Sequence, residues 1–528
     1  MALRASRIGL AAPPLIPAAQ VERFPFAGLV VPSLSSALTI ATFVYSLFVF
    51  GGSENFFQDS DAGWHIRNGE SILATHTLPR TDPYSFSKPG APWIAWEWGS
   101  DVLLGLADNR AGLRGVAWLI AVAIAASTWM CCRLSFTAGG DFLLVALLAP
   151  PMITTTSLHW LARPHVFSWL FLVGALLYAE RRSRALDQRR LPPLELAAIA
   201  AVSALWANMH ASFFLAPAIA LIYAASHFLK PLLWPADTKV ERDRGLWFLW
   251  VALAAFCGSL INPYGWRLHL HVLSYLRNEE LTSHVAEFQS FNFHSAGAAQ
   301  IAIGLGIAVL GGILALGQRK LAHFLLTASL VWAGLRSARV LPLVALTLLP
   351  LANGTLTEAL RGAWSLRPKV KSALDDALDY SARLRAIDLK MNGLAVLVVV
   401  AVLAFVAMPA AGFPASGFPV EAMKAVEQLP ADARILAPDS FGGYLIYRFN
   451  GTRKVYIDGR SDFYGADFMK QYLALIEARP GWTETVKTFG FTNALLPADS
   501  PLLAALEQAG WTRLYQDKVA TLLQGSGR

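Results

Sequence analysis

About eleven apolar segments, each long enough or nearly long enough to cross a bilayer, recur between residues 33 and 413 of this chain. They centre on Ser33–Phe50, Gly115–Cys132, Asp141–Leu158, His165–Ala179, Leu194–Asn208, Ser212–Leu229, Leu246–Ile261, Ala298–Gly317, Leu321–Leu335, Val340–Leu351 and Gly393–Phe413. Lipid offers no partner to unpaired backbone N–H and C=O groups, so such segments must be helices. The chain is therefore expected to be an α-helical integral membrane protein. Its 55% apolar and 15% charged residues lie outside the soluble globular range. Residues 1–32 scatter Arg4, Arg7 and Arg23 among Ala and Pro. They lack a compact apolar core with a cleavage site, so the first span is expected to be uncleaved.

Charge sets the orientation. Lys and Arg are in excess in the N-terminal tail and in Glu180–Pro193, Lys230–Gly245, Gln318–Lys320 and Gly354–Asn392. The positive-inside rule makes these cytoplasmic. An odd span count then places residues 414–528 outside. The net charge of +8 thus follows membrane topology, and no nucleic-acid partner is expected. Cys131, Cys132 and Cys257 all lie in apolar segments, which implies no disulfide framework. Beyond Phe413 the composition becomes that of a small α/β domain. Its expected strands are Ile435–Ala437, Val455–Ile457, Ala494–Leu496 and Val519–Leu523, and its helical patterns Val420–Leu429 and Ala466–Ala478.

Between the first two spans, in the external loop 51–112, runs QDSDAGWHIRNGESILATHTLPRTDPYSFSKPGAPWIAWEWG. Asp59 and Asp61 form a D-x-D pair, and Glu97 sits between Trp96 and Trp98. Carboxylates at a membrane face contribute little to packing but can bind a cation or remove a proton, so this loop reads as an active site. The blander reading of the D-x-D is an Asx turn, which needs only one of the two acids. That of Glu97 is a carboxylate at a helix start. On the same face fall Arg163 with His165, His210, Asn262–Trp266, Glu287, Arg336 and Arg339.

These blocks resemble bacterial GT-C membrane glycosyltransferases of the protein mannosyltransferase-like branch. The resemblance rests on DSDAGWHIRNGE with TDPYSFS and WEW, on ARPH, WANMH and NPYGW, and on GGYLIYRF with VYIDGRSDFYG. It implies a GT-C-like fold of about eleven transmembrane helices with a polyprenyl-phosphate-linked sugar as donor. It carries the family's D-x-D to Asp59 and Asp61 and its second acidic position to Glu97. The run Asp439–Tyr444 is loosely similar to the WWDYG element of oligosaccharyltransferase catalytic subunits but lacks both tryptophans.

Transfer from a lipid phosphate needs a base for the acceptor hydroxyl, positive groups for the departing phosphate, and a hold on the oxocarbenium-like sugar. Asp61 or Asp59 is the expected base, and Glu97 a second carboxylate. Asp61 and Glu97 could also hold a divalent cation, Mg or Mn. Arg163, His165, His210 and Arg339 are the expected phosphate contacts, although arginines near span ends often only snorkel. His65, Asp82, Asp458, Arg460 and Asp462 are expected at substrate or in a lid. Against this, His65 could be a packed core histidine, Asp82 a turn before Pro83, and Asp458–Arg460 a structural pair. No phosphate-binding glycine loop or Cys/His metal motif occurs, which disfavours a soluble nucleotide-sugar donor.

The expected protein is thus a multi-pass enzyme of the inner (plasma) membrane. It has a cytoplasmic tail (1–32), a GT-C-like transmembrane domain (33–413) and a periplasmic or extracellular α/β domain (414–528). It would move a sugar, with inversion, to a glycan, lipid or protein hydroxyl. The rival is a non-enzymatic flippase or transporter of a lipid-linked saccharide, which should place polar groups near mid-membrane on broken helices.

Overall fold

The computed structural model describes residues 26–49, 51–184, 192–363 and 366–525. Most of the N-terminal tail, and residues 185–191 of one basic loop, lie outside these. Each of the eleven apolar segments contains a helix. In chain order, with the other helices that matter here, they are α1 (Leu34–Phe48), α2 (Asp61–Thr75), α3 (Trp98–Thr137), α4 (Phe142–Ser157), α5 (His165–Arg184), α6 (Pro193–Met209), α7 (Leu215–Leu233) and α8 (Thr238–Ser259). There follow α9 (Trp266–Arg277), α10 (Ala298–Gly317), α11 (Leu321–Arg336), α12 (Leu341–Arg361), α13 (Pro368–Asp388), α14 (Leu394–Ala407) and α15 (Asp439–Arg448). Among the described residues five helical stretches are long and apolar enough to cross a bilayer: Ala27–Phe48, Trp98–Thr137, Ala211–Leu233, Ala298–Gly317 and Ala338–Arg361. Helices α4, α6, α11 and α14 are shorter apolar helices. Leu147, Leu232, Ile313 and Val406 lie exposed on their outer faces, as a lipid-facing surface requires.

Among the boundaries that differ from expectation, two shape the core. Helix α3 begins at Trp98 rather than near Gly115 and breaks at Ala111–Gly112, where Gly112 has φ 61°. Its first part therefore belongs to the loop 51–112 and its second to the apolar core. Helix α12 runs ten residues past Leu351, straight through Pro350. Proline has no N–H for the Leu346 carbonyl four residues back, and the Cys131 thiol donates to that oxygen instead, at 3.2 Å. Most of α12 is buried, so its side chains form the middle of the helical core.

The loop 51–112 packs by backbone contact. A Cβ on Gly69 would stand 1.8 Å from the Asp101 carbonyl oxygen, and one on Gly63 would stand 2.1 Å from that of Gly443. Only glycine allows α2 to lie this close to α3 on one side and α15 on the other.

The C-terminal part carries a four-stranded sheet of order β1-β2-β4-β3: Ile435–Leu436, Asn493–Pro497, Ala520–Gln524 and Thr512–Gln516. The first pair is parallel and the other two antiparallel. Strand β3 escapes the sequence reading because it is an edge strand with mostly exposed side chains. Val455–Ile457, expected as a strand, is not part of the sheet. Its backbone pairs with the external loop instead: Val455 N–H donates to Tyr84 O and Phe86 N–H to Val455 O, both at 3.0 Å.

Candidate active site

Helix α2 starts at Asp61, and its first turns carry the acid, Trp64 and His65 inward. The Asp61 backbone N–H donates to Asp59 Oδ1 at 2.9 Å, which closes the turn before the helix. Asp61 Oδ1 accepts from Trp64 Nε1 at 3.0 Å. Burial, followed by the Asp59 charge, pushes the Asp61 carboxyl up to about 8. Glycine is required behind it, because a Cβ on Gly459 would lie 1.9 Å from Asp61 Oδ1.

Arg163 is the centre of the acidic side. Its Nη1 donates to Asp59 Oδ2 at 2.6 Å and to Glu287 Oε1 at 2.8 Å, while Nη2 lies 3.1 Å from Asp61 Oδ2. Arg339 Nη1 approaches Glu287 Oε2 at 3.5 Å. Facing two guanidinium groups, the Glu287 carboxyl is held below the usual carboxylate range in spite of its burial. Arg163, expected at a donor phosphate, thus has both terminal nitrogens engaged by carboxylates.

A second acid, Glu97, directly precedes α3, and its side chain makes no capping hydrogen bond to the helix. Burial, followed by the nearby Asp101, raises it to about 8. It lies 3.4 Å from His210 Nε2 and 3.9 Å from His65 Nε2. Both imidazoles are oriented from behind. His65 Nδ1 is hydrogen-bonded to the buried Asp101 carboxyl at 2.6 Å. His210 Nδ1 accepts the Ser212 backbone N–H at 3.1 Å, which leaves the ring proton on Nε2, toward Glu97. Burial pulls both imidazoles well below their ordinary range, so they face Glu97 as neutral rings.

These groups share a cavity of about 580 Å³. Asp61, His65, Glu97, Arg163, His165, His210, Arg339, Arg460 and Asp462 line it together with Trp64, Trp96, Trp169 and Tyr275. Helices α11 and α12 add an apolar wall that includes Leu330, Ala333 and Leu343, with Arg336 beside it. Arg336 is exposed, stacks over Trp332 at 5.2 Å and makes no ion pair among the described residues.

Three of the expected residues do not line the cavity. Asp82 and Asp458 grip Arg460 from behind, with Arg460 Nη2 at 2.8 Å from Asp82 Oδ1 and 2.6 Å from Asp458 Oδ2. Arg460 is itself 2% exposed and is held between these two carboxylates. Asp59 stands behind the site, where it accepts from Arg163 Nη1 and from the Asp61 backbone N–H. Asp61 and Glu97 face different partners, Asp61 the Arg163 guanidinium and Glu97 the imidazoles of His65 and His210. Among the described residues no group of three or more His, Cys, Asp or Glu is disposed to hold a metal ion.

Sequence reasoning did not assign roles to Glu287, Asp101 or Tyr275. Glu287 sits in a short 3₁₀ turn without a motif. Asp101 looks like an ordinary first-turn acid of a helix. Tyr275, on α9, meets Ser461 Oγ at 3.0 Å, next to His271 Nε2, which is 3.0 Å from Asp462.

No protein-family model matches the sequence, and no curated protein matches it. Solved structures do match the fold. The archaeal oligosaccharyltransferase AglB from Archaeoglobus fulgidus, in complex with an inhibitory peptide and a dolichol-phosphate, aligns with a TM-score of 0.57 at 12% identity. That alignment covers 87% of this chain and 68% of the other. The same organism's oligosaccharyltransferase tethered to an acceptor peptide gives 0.53 at 13% identity, with the same coverage. ArnT from Cupriavidus metallidurans, in the apo state, overlaps 93% of this chain and 97% of its own at 15% identity, with a TM-score of 0.46. The chain shares its fold with the two Archaeoglobus fulgidus oligosaccharyltransferase structures.

Proposed function

We propose that the protein is an inverting membrane glycosyltransferase that takes a sugar from a polyprenyl-phosphate donor and passes it to a hydroxyl of a glycan, lipid or protein. The observation that carries this reading is the make-up of one cavity. It joins a buried acid of raised pKa, Asp61, to Arg336, which makes no ion pair among the described residues, and to an apolar wall of α11 and α12. An acid of pKa near the working pH suits a general base. A cation beside apolar helices suits a phosphate carried on a lipid chain. The oligosaccharyltransferase of similar fold was solved with dolichol-phosphate, which supports a donor of that class.

In this reading the acceptor oxygen attacks the anomeric carbon as Asp61 takes its proton. The glycosidic bond forms, the bond to phosphate breaks, and its electron pair leaves with the lipid phosphate. Arg336 and Arg339 stabilise that leaving group, while Glu97, His65 and His210 contact the sugar. The acidic loop and the C-terminal domain lie on the extracytoplasmic face of the plasma membrane, as the charge bias of the loops supports.

The test is transfer from radiolabelled polyprenyl-phosphate sugars by protein purified into lipid nanodiscs. Asp61→Asn keeps shape and turn preference and loses only the base, so the rate should fall by about 10² to 10⁴. Full activity in an Asp59→Asn, Asp61→Asn double variant would sink the proposal.

A further inference from the structure

A D-x-D pair at a membrane face invites a divalent cation, and the residues here do not fit one. A hard dication sits at about 2.0–2.6 Å from carboxylate oxygens. The space between Asp59, Asp61 and Glu287 is filled by the Arg163 guanidinium, at contact distances of 2.6, 3.1 and 2.8 Å. The backbone fixes it there. Ala162 N–H donates to Phe56 O at 2.7 Å, and Pro164 follows directly at the start of α5. A guanidinium keeps its charge at every accessible pH. Asp59 and Glu287 already have cationic partners, Asp59 in Arg163 and Glu287 in both Arg163 and Arg339. A dication would have to displace the guanidinium from between these oxygens, and would otherwise meet its positive charge at close range.

We propose that Arg163 is a built-in counter-ion occupying the cation position of this D-x-D site, so that the wild-type site takes up no divalent metal and removal of the guanidinium opens one. The catalytic half of this inference, that sugar transfer runs without a divalent cation, rests on the function proposed above. The binding half does not.

The binding half is tested on the full-length protein in nanodiscs by Mn²⁺ titration, read by electron spin resonance of the free ion. Wild type is expected to leave the free Mn²⁺ signal unchanged. Arg163→Ala should remove one Mn²⁺ per chain, and adding Asp61→Asn to that variant should abolish the uptake. Stoichiometric Mn²⁺ binding by wild type that is lost in Asp59→Asn, Asp61→Asn overturns the inference, and this arm needs no arginine variant to fold. An Arg163→Ala protein that is monodisperse and binds no Mn²⁺ overturns it too. Transfer is read separately. Wild type should keep full activity in EDTA. Arg163→Ala should lose about 10²-fold and recover about 10-fold with Mn²⁺. Wild-type transfer that stops in EDTA and returns with Mn²⁺ overturns the catalytic half. Absence of transfer from every donor counts against the proposed function, and the resonance titration still decides the role of Arg163.

Discussion

Arg460 of the C-terminal part and Asp82 of the external loop meet at 2.8 Å, and both are buried. Asp458 completes the pair, and the Arg460 guanidinium also lies 4.7 Å from the centre of the Trp93 ring. Removing Arg460 leaves two buried carboxylates without their partner, which typically costs about 3–5 kcal/mol, whereas removing Asp82 leaves Arg460 still held by Asp458. Arg460→Ala should therefore lower the melting temperature in detergent by several degrees, and Asp82→Ala by less. The double variant should be less than additively destabilised, because the second change removes one of the two stranded carboxylates. Additive losses in a thermal-shift cycle would mean that the two groups do not act as a pair.

Gly459 tests the same segment with less disruption to the fold. Its Cα backs onto the Asp61 carboxylate, and a methyl there would need to occupy a point 1.9 Å from Oδ1. Gly459→Ala must push either the acid or the loop aside. Displacement of a reacting group by about 1 Å commonly costs about 10²-fold in rate. The expected result is a loss of kcat of that size with a nearly unchanged melting temperature. Wild-type kcat would show that Asp61 can shift without consequence.

The apolar helices were legible in the sequence because bilayer solvation leaves the backbone one choice, and the acidic loop because its acids have no packing purpose. What the sequence hid was who meets whom. Arg163 and its carboxylates Asp59 and Glu287 are 104 and 124 residues apart, and no local spacing announces such a contact. Asp101 became an orienting partner for His65 only because glycines let α2 and α3 cross backbone to backbone. Val455–Ile457 has the apolar pattern of a strand, but Tyr84 and Phe86 of the external loop took its hydrogen bonds. The expectation that Arg163 faces a phosphate came from its place at a span end, which says nothing about competing carboxylates.

The pH dependence of transfer should report Asp61. A base works when deprotonated, so kcat/KM should rise with pH and level off above an apparent pKa near 8, where burial and the Asp59 charge have placed this carboxyl. Asp59→Asn removes the like charge. The residual activity of that variant should show its rising limb at lower pH than wild type. A limb that stays in place or moves upward would assign the titration to another group, with Glu97, also raised to about 8, the first alternative. Glu97→Gln resolves the two, since it should leave the position of an Asp61 limb nearly unchanged.

Donor and acceptor sides of the cavity should separate kinetically at Arg336 and Arg339. Arg336 makes no ion pair among the described residues and stacks on Trp332 at the apolar wall, and Arg339 gives Glu287 a single contact at 3.5 Å. Both therefore have donors to spare for a phosphate, whereas Arg163 has its terminal nitrogens committed. Guanidinium meets phosphate oxygens in a two-pronged way that ammonium cannot reproduce. Arg336→Lys and Arg339→Lys keep the charge, so each should raise the KM for polyprenyl-phosphate sugar by about 10-fold, the loss of roughly one charge-assisted hydrogen bond. The acceptor KM should stay within about twofold of wild type, because no acceptor hydroxyl needs a forked donor. Initial-rate kinetics with both substrates varied decide the matter. A rise confined to the acceptor KM would move these arginines to the acceptor side, and wild-type behaviour of both variants would leave the phosphate without its proposed anchor.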